Sequence, residues 1–348
     1  MVRSVRSPAA RGLLSDRLLQ SLAGPLAPVP DLPAMAERRV SACRALTDED
    51  IQLSLLVLQE LVYDGIDAAD ERWERSPDLA ATRVVLEDAC EAELRAAVKG
   101  PVSQVAQLAH VDVAAAIFEL ADAVEAPRLS AHLHRQATLE QLREFLIHRS
   151  VYHLKEADPH TWLVPRLRGA PKAALLEVQI DEYGGGRLDR MHAQLFAKTM
   201  LAAGLDPTYG AYVDKVPAAT LAVTTTMTLF GQQRRLRGMT AGHLAAFEAT
   251  SSLPNRRYAE GVRRLGLGEQ GAAYFEEHVV ADAVHEQVAA RNLCGGLVAS
   301  EPSLLGDVFV GAAACLILDA WSATAILDAW AADESALLPA LTPQAQVA

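Results

Sequence analysis

Basic residues, aromatic rings and paired cysteines are all scarce in this 348-residue chain. Lys and Arg number 32 against 44 Asp and Glu, a formal net charge of -12. Such a surface repels phosphate backbones, which argues against a general nucleic-acid binder and equally against docking on an anionic membrane. The cysteines Cys43, Cys90, Cys294 and Cys315 include no C-x-x-C pair. They read as free thiols acting as small apolar side chains, which suits a reducing, cytoplasmic setting. No apolar run reads as long enough to span a bilayer. The strongest candidate, 305–318, is interrupted by Asp307 and followed by Asp319. Residues 1–34, rich in Arg, Pro and Ser, lack the apolar core of a secretory signal. An Arg-rich, acid-poor start also resembles an organellar transit peptide, but a flexible N-terminal arm is the preferred expectation.

What is abundant is Ala, Leu and Val. Hydrophobic residues make up 51% of the chain while aromatics make up only 5%. Ala and Leu cost little in a helix and pack closely, so the composition points to an all-α core. Apolar positions recur at helical spacing over 48–66, 80–98, 102–124 and 138–156, the last opened by the capping-box pattern T-x-x-Q at Thr138. Further helices fit 171–183, 187–203, 207–229, 240–250, 255–265, 269–293 and 302–331. Residues 217–230 carry several β-branched side chains and are the most ambiguous stretch; a buried helix is the better reading. No strand alternation, Gly/Ser linker or internal repeat is evident. The expected organisation is an arm over 1–34, a helical annex over 35–130, a core over 131–335 and a tail over 336–348.

Histidine and carboxylate pattern the core. His278, Asp282 and His285 form H-x-x-x-D-x-x-H beside apolar residues. Each helical residue turns the chain about 100°, so these offsets fan the side chains over about 60° of one face. That arrangement suits three ligands aimed at one point, and His with carboxylate suits iron, manganese or zinc. One helix face seldom completes a metal site. Two other segments offer partners: YHLKEADPH at 152–160, with Glu156 expected at a helix end, and EVQIDEYGGGRLDRMHAQLF at 177–196. The Gly184–Gly186 triplet needs a reason, since glycine inside a helix costs about 1 kcal/mol per residue. A kink or π-bulge turning Glu182 and His192 toward one centre would supply it. The two D-x-x-H elements, Asp189/His192 and Asp282/His285, are also similar to the Glu-x-x-His pairs of di-iron bundles, which leaves Asp189 as a rival to Glu182.

Together, Y-H-L-K-E-A-D-P-H (152–160), D-E-Y-G-G-G-R…R-M-H (181–192) and E-H-V-V-A-D-A-V-H-E (277–286) resemble the haem-oxygenase-like di-iron oxidases and oxygenases, bacterial iron-containing redox enzymes, over about 45–330. The resemblance implies a haem-oxygenase-like helical bundle of about seven core helices with additional N-terminal helices, without haem. Carried over motif by motif, the metal ligands fall on Glu156, Glu182, His192, His278, Asp282 and His285, with no catalytic residue beyond them. Glu177, Asp181, Asp189 and Glu248 are not needed in that set. Glu248 reads as structural, although a carboxylate there could still approach the metals, and His153 and His160 read as supporting residues.

The resemblance implies two Fe(II) ions that activate O2 through a ferric peroxide to oxidise a small amine or amino-acid-like metabolite, by N-oxygenation or oxidative C–C cleavage, in specialised metabolism. Arginines of QQRRLRG (232–238) and Arg256/Arg257 are candidates for a substrate carboxylate, with solvated helix faces the commoner reading. An external electron donor is implied but not named, and a homodimer is left open. Two other readings stand beside this one: a mononuclear metal hydrolase, and a non-catalytic helical interaction protein.

Overall fold

A computed structural model describes residues 4–106, 112–124 and 127–339, with the backbone alone at Asp282 and Ala283. Among these residues there is no strand; one isolated parallel bridge joins Val5 to Ile66. The fold is all-α. Its N-terminal part comprises α1 (Leu13–Leu22), α2 (Asp31–Ala42), α3 (Glu49–Glu60), α4 (Pro77–Ala97), α5 (Lys99–Val105), α6 (Val113–Ala123) and α7 (Leu129–Arg135). The remainder comprises α8 (Leu139–His153), α9 (Asp158–Thr161), α10 (Gly169–Glu182), α11 (His192–Ala202), α12 (Ala218–Gln232), α13 (Arg237–Arg264), α14 (Gly268–Gln287), α15 (Gly296–Ser300) and α16 (Leu305–Ala331). A π-helical segment, Val288–Gly295, joins α14 to α15.

Helix starts follow local chemistry. Asp48, Ser76, Asp112 and Thr138 each accept a backbone N–H in the first turn of the following helix. At α8 the expected capping box forms, with Thr138 and Gln141 satisfying each other's backbone donors.

The expected flexible arm is corrected. Leu14, Leu18 and Leu22 of α1 are buried, and Asp50 accepts from the backbone N–H of Leu14 and Ser15. The spacing of four along an amphipathic helix is what the Arg/Pro/Ser composition concealed. Helices α1 to α6 share one continuous apolar cluster with α10, α12, α13 and α16. The tail is described only as far as residue 339, where Leu338 N–H donates to the Lys215 carbonyl.

The ambiguous stretch 217–230 is helical. Thr220, Thr224, Thr225, Thr226 and Thr228 of α12 are all buried, and Thr225 donates to Gln52 at 2.7 Å. Two expected helices, 240–250 and 255–265, are one: α13 runs through Pro254. Proline removes one intrahelical bond, and packing on both sides of it holds the helix together. Thr250 and Ser251 hydroxyls donate to carbonyls one turn back, a habit that accommodates bending there.

Helix α13 lies against α14 and α16 and positions the rest. Its crossing with α16 is backbone to backbone. A Cβ on Gly242 would stand 1.8 Å from the Val308 oxygen, and one on Gly311 would stand 2.0 Å from that of Met239. Helix α16 with its preceding turn (Pro302–Ala331) is, by length and composition, apolar enough to cross a membrane, which the shorter window 305–318 understated. Core burial of Val308, Phe309, Ala312 and Ala313 accounts for much of that apolarity.

Candidate metal centre

Four segments converge between α8, α10, α13 and α14. Glu156 lies two residues beyond the C-cap of α8, in a turn rather than in the helix as expected. Glu182 is the last residue of α10 and His192 the first of α11. The glycine triplet separates these helices; it is no kink inside one. All three glycines have positive φ, 62°, 60° and 79°, and a Cβ on Gly184 would meet the Met191 nitrogen at 2.6 Å. Only glycine folds the chain back so tightly, and the fold-back sets His192 beside Glu182.

The donor atoms fall into two buried groups. Glu156, Glu182, His192 and His278 offer atoms within 4.8 Å of one another, and so do Glu182, Glu248 and His285. Glu182 belongs to both. His278 and His285 therefore do not address one point, as their shared face suggested. Seven residues advance about 10 Å along a helix, too far for one ion, so each imidazole serves its own group. Asp282 is on α14 between them; its side chain lies outside the described residues.

Hydrogen bonds decide which nitrogen each imidazole presents. His278 Nδ1 lies 2.9 Å from the Tyr274 carbonyl and donates to it, which leaves Nε2 toward the centre, 3.7 Å from Glu156 Oε1. His285 Nε2 donates to Asp181 Oδ2 at 3.0 Å, leaving Nδ1 3.6 Å from Glu248. A carboxylate holding the far nitrogen of an imidazole is how metal-bound histidines are oriented.

Several facing atoms are orphans. Glu182 Oε2, His192 Nδ1 and His285 Nδ1 are buried without a hydrogen-bond partner. Glu182 Oε2 and His192 Nδ1 are only 3.0 Å apart, yet their angles do not make a hydrogen bond. The distance records proximity and the missing bond records direction. Buried polar atoms are ordinarily satisfied, so unsatisfied ones gathered around a shared space point to a cation. A cavity of about 10 Å³ lies among Glu156, Glu182, Glu248, His160 and His278. Three carboxylates and three imidazoles form a donor set that suits iron.

Tyr274 was missed in the sequence. Its hydroxyl donates to Glu156 Oε2 at 2.7 Å and lies 2.8 Å from His153 Nδ1, which is itself 3.3 Å from Glu156 Oε1. Burial raises the Glu156 pKa, but the imidazoles of His153 and His278 outweigh it and hold the carboxyl well below its ordinary range. Burial, followed by the charge of Glu156, raises Tyr274 well above the usual phenol value and keeps it a donor. At the other group burial raises Glu248 despite His285. Burial lowers His285, yet Glu248 and Asp181 together lift it to about 9.

Glu248 and Asp181 were set aside in the sequence and need correction. Glu248 belongs to the second group, and Asp181 holds His285. The available signal for Glu248 was a lone carboxylate in the small, apolar run GHLAAFEATSS. Asp189 and Glu177 are exposed, and Asp189 pairs with Arg187. His160 is buried with its Nε2 3.2 Å from His243 Nδ1; burial lowers it to about 4. In QQRRLRG, Arg235 pairs with Glu91 and Arg237 with Glu301. Arg256 and Arg257 instead line a cavity of about 620 Å³ that reaches His153, Tyr274 and His278.

The family model described as iron-containing redox enzyme matches residues 143–320, slightly more than half of the chain. The chain belongs to this iron-containing redox enzyme family. The all-α structure is accordingly haem-oxygenase-like, and the protein is an iron-dependent oxidoreductase. The match begins on α8 and ends on α16, so every described member of the two donor groups lies inside it. A comparison with curated proteins returned no match.

Proposed function

We propose that this iron-containing redox enzyme is a non-haem di-iron oxidase or oxygenase that uses O2 to oxidise a small amine or amino-acid-like metabolite. The observation that carries the di-iron reading is Glu182, common to both buried donor groups. One position draws on Glu156, His192 and His278, the other on Glu248 and His285, with Glu182 between them. Asp282 is a further ligand in this reading, from the resemblance of its motif. Iron bound there supplies the one-electron steps that O2 chemistry needs.

The chain's own residues do the rest. Tyr274 fixes the Glu156 carboxylate by donating to Oε2. The Tyr274 carbonyl fixes His278, and Asp181 fixes His285. Phe196 packs against the Tyr274 ring and, with Phe247 along the cavity, keeps water away from the donor atoms. The larger cavity admits the substrate to the His278 side, where N-oxygenation or oxidative C–C cleavage takes place. Electrons come from an external donor, and the setting proposed is cytoplasmic.

Anaerobic loading with Fe(II) tests the reading. The expected result is about two irons per chain, about one in His285→Ala, and a transient visible band when O2 is added. Uptake of one iron or none by the wild type, or full uptake by His285→Ala, overturns it.

A further inference from the structure

The cavity of about 620 Å³ beside His278 is of the size that holds a metabolite. Its walls include Phe145, Phe247, Tyr258 and Phe275, which suit an apolar body. Two charged groups sit together in that lining. Arg149 of α8 and Asp319 of α16 approach to 2.8 Å, with side-chain exposures of 21% and 48%. Both residues line the cavity. Arg149 is one helical turn before His153, and its guanidinium lies 5.5 Å from the Phe145 ring centroid, so its place is set. A guanidinium has five N–H donors and a carboxylate about four acceptor sites, so the Asp319 contact, with Tyr258 also beside the guanidinium, still leaves donors and acceptors for a ligand.

We propose that Arg149 and Asp319 form the head-group subsite of this cavity, taking the carboxylate and the ammonium of a zwitterionic amino acid with an apolar side chain. This deepens the function proposed above and rests on it. A simple carboxylate would meet Arg149 but be repelled by Asp319, and a simple amine would meet the reverse. Only a ligand carrying both charges on neighbouring atoms pairs with each and leaves neither unmatched. Arg256, an exposed residue of the same lining, is screened by water and discriminates less.

The test uses full-length, metal-free protein and calorimetric titration with three probes that share a phenyl body: 2-amino-4-phenylbutanoate, 4-phenylbutanoate and 3-phenylpropylamine. The zwitterion is expected to bind at least about tenfold more tightly than either singly charged probe. In Asp319→Asn the zwitterion and the carboxylate should bind alike; in Arg149→Gln the zwitterion and the amine should bind alike. Circular dichroism checks the fold of both variants, and the wild-type ranking stands on its own if one fails to fold. Equal binding of the three probes, no binding of the zwitterion, or variants that weaken all probes equally would overturn the subsite and leave a purely structural helix-to-helix ion pair. Because no iron is present, failure here leaves the iron count untouched, and failure of the iron count leaves this ranking readable.

Discussion

Replacing Glu182 with Gln separates a metal centre from a buried polar network held for structure. The substitution keeps shape and removes charge. In the metal-free protein Glu182 is 4% exposed, and its Oε2 has no hydrogen-bond partner although His192 Nδ1 is 3.0 Å away. Leaving a buried polar atom unsatisfied costs about 1–3 kcal/mol, and more for a charged group. Neutralising it should therefore leave the metal-free protein as stable as wild type or more stable, by up to about 2 kcal/mol. Binding should respond in the opposite direction. A ligand at a hundred times its Kd stabilises a protein by about 2.7 kcal/mol, and each of two ions contributes its own increment. Glu182 belongs to both donor groups, so Glu182→Gln should lose most of that gain at both positions. His285→Ala should lose it at one. The assay is urea unfolding with and without Fe(II), anaerobically, alongside iron per chain after gel filtration. A variant that is destabilised by more than about 2 kcal/mol without iron, and that still takes up its full iron, would refute the reasoning. Such a result would make Glu182 a structural partner of His192.

Other perturbations probe the surroundings. Tyr274→Phe removes the hydroxyl that holds Glu156 and meets His153, and should cost about 1–3 kcal/mol in unfolding measurements and weaken Fe(II) uptake; unchanged stability would show the contact to be idle. His148, buried and 2.7 Å from the Thr220 hydroxyl, has its pKa lowered by burial from 6.5 to about 4. Between those values the unfolded chain takes a proton that the native state refuses, so stability is full above pH 6.5 and falls toward pH 4, by up to about 3 kcal/mol. His148→Gln should flatten that fall when urea unfolding at pH 4.5 is compared with pH 7. Gly242→Ala places a methyl against the Val308 carbonyl and should cost about 3 kcal/mol or more, read as a lower midpoint; a neutral result would mean that α13 and α16 separate easily.

The long amphipathic segments were legible because period and caps agree: Thr138 with Gln141 starts α8, and Ser76 starts α4. Where local preference and packing disagreed, packing won. Two helices were expected over 240–250 and 255–265, and one helix, α13, runs through Pro254, since buried Glu248, Asn255 and Tyr258 hold both halves in line. The arm over 1–34 was misjudged because three leucines at intervals of four are enough to bury α1 against α3. In the candidate centre, the His and Glu motifs were visible because rare residue types recur at helical spacing. Tyr274 was hidden in the same run, since a tyrosine beside a phenylalanine looks like core.

The sequence by itself determined the helical class, the residue types able to hold iron and the helices that carry them, because these depend on spacing along one chain. Tertiary structure alone decided how the ligands are shared. Glu182 can meet two groups only when the left-handed glycine turn folds α11 back on α10 and α13 brings Glu248 alongside. Likewise Arg149 and Asp319, 170 positions apart, become neighbours only across packed helices. Pattern records which way a side chain faces on its own helix; distance between helices is set by the bulk and the small residues packed between them.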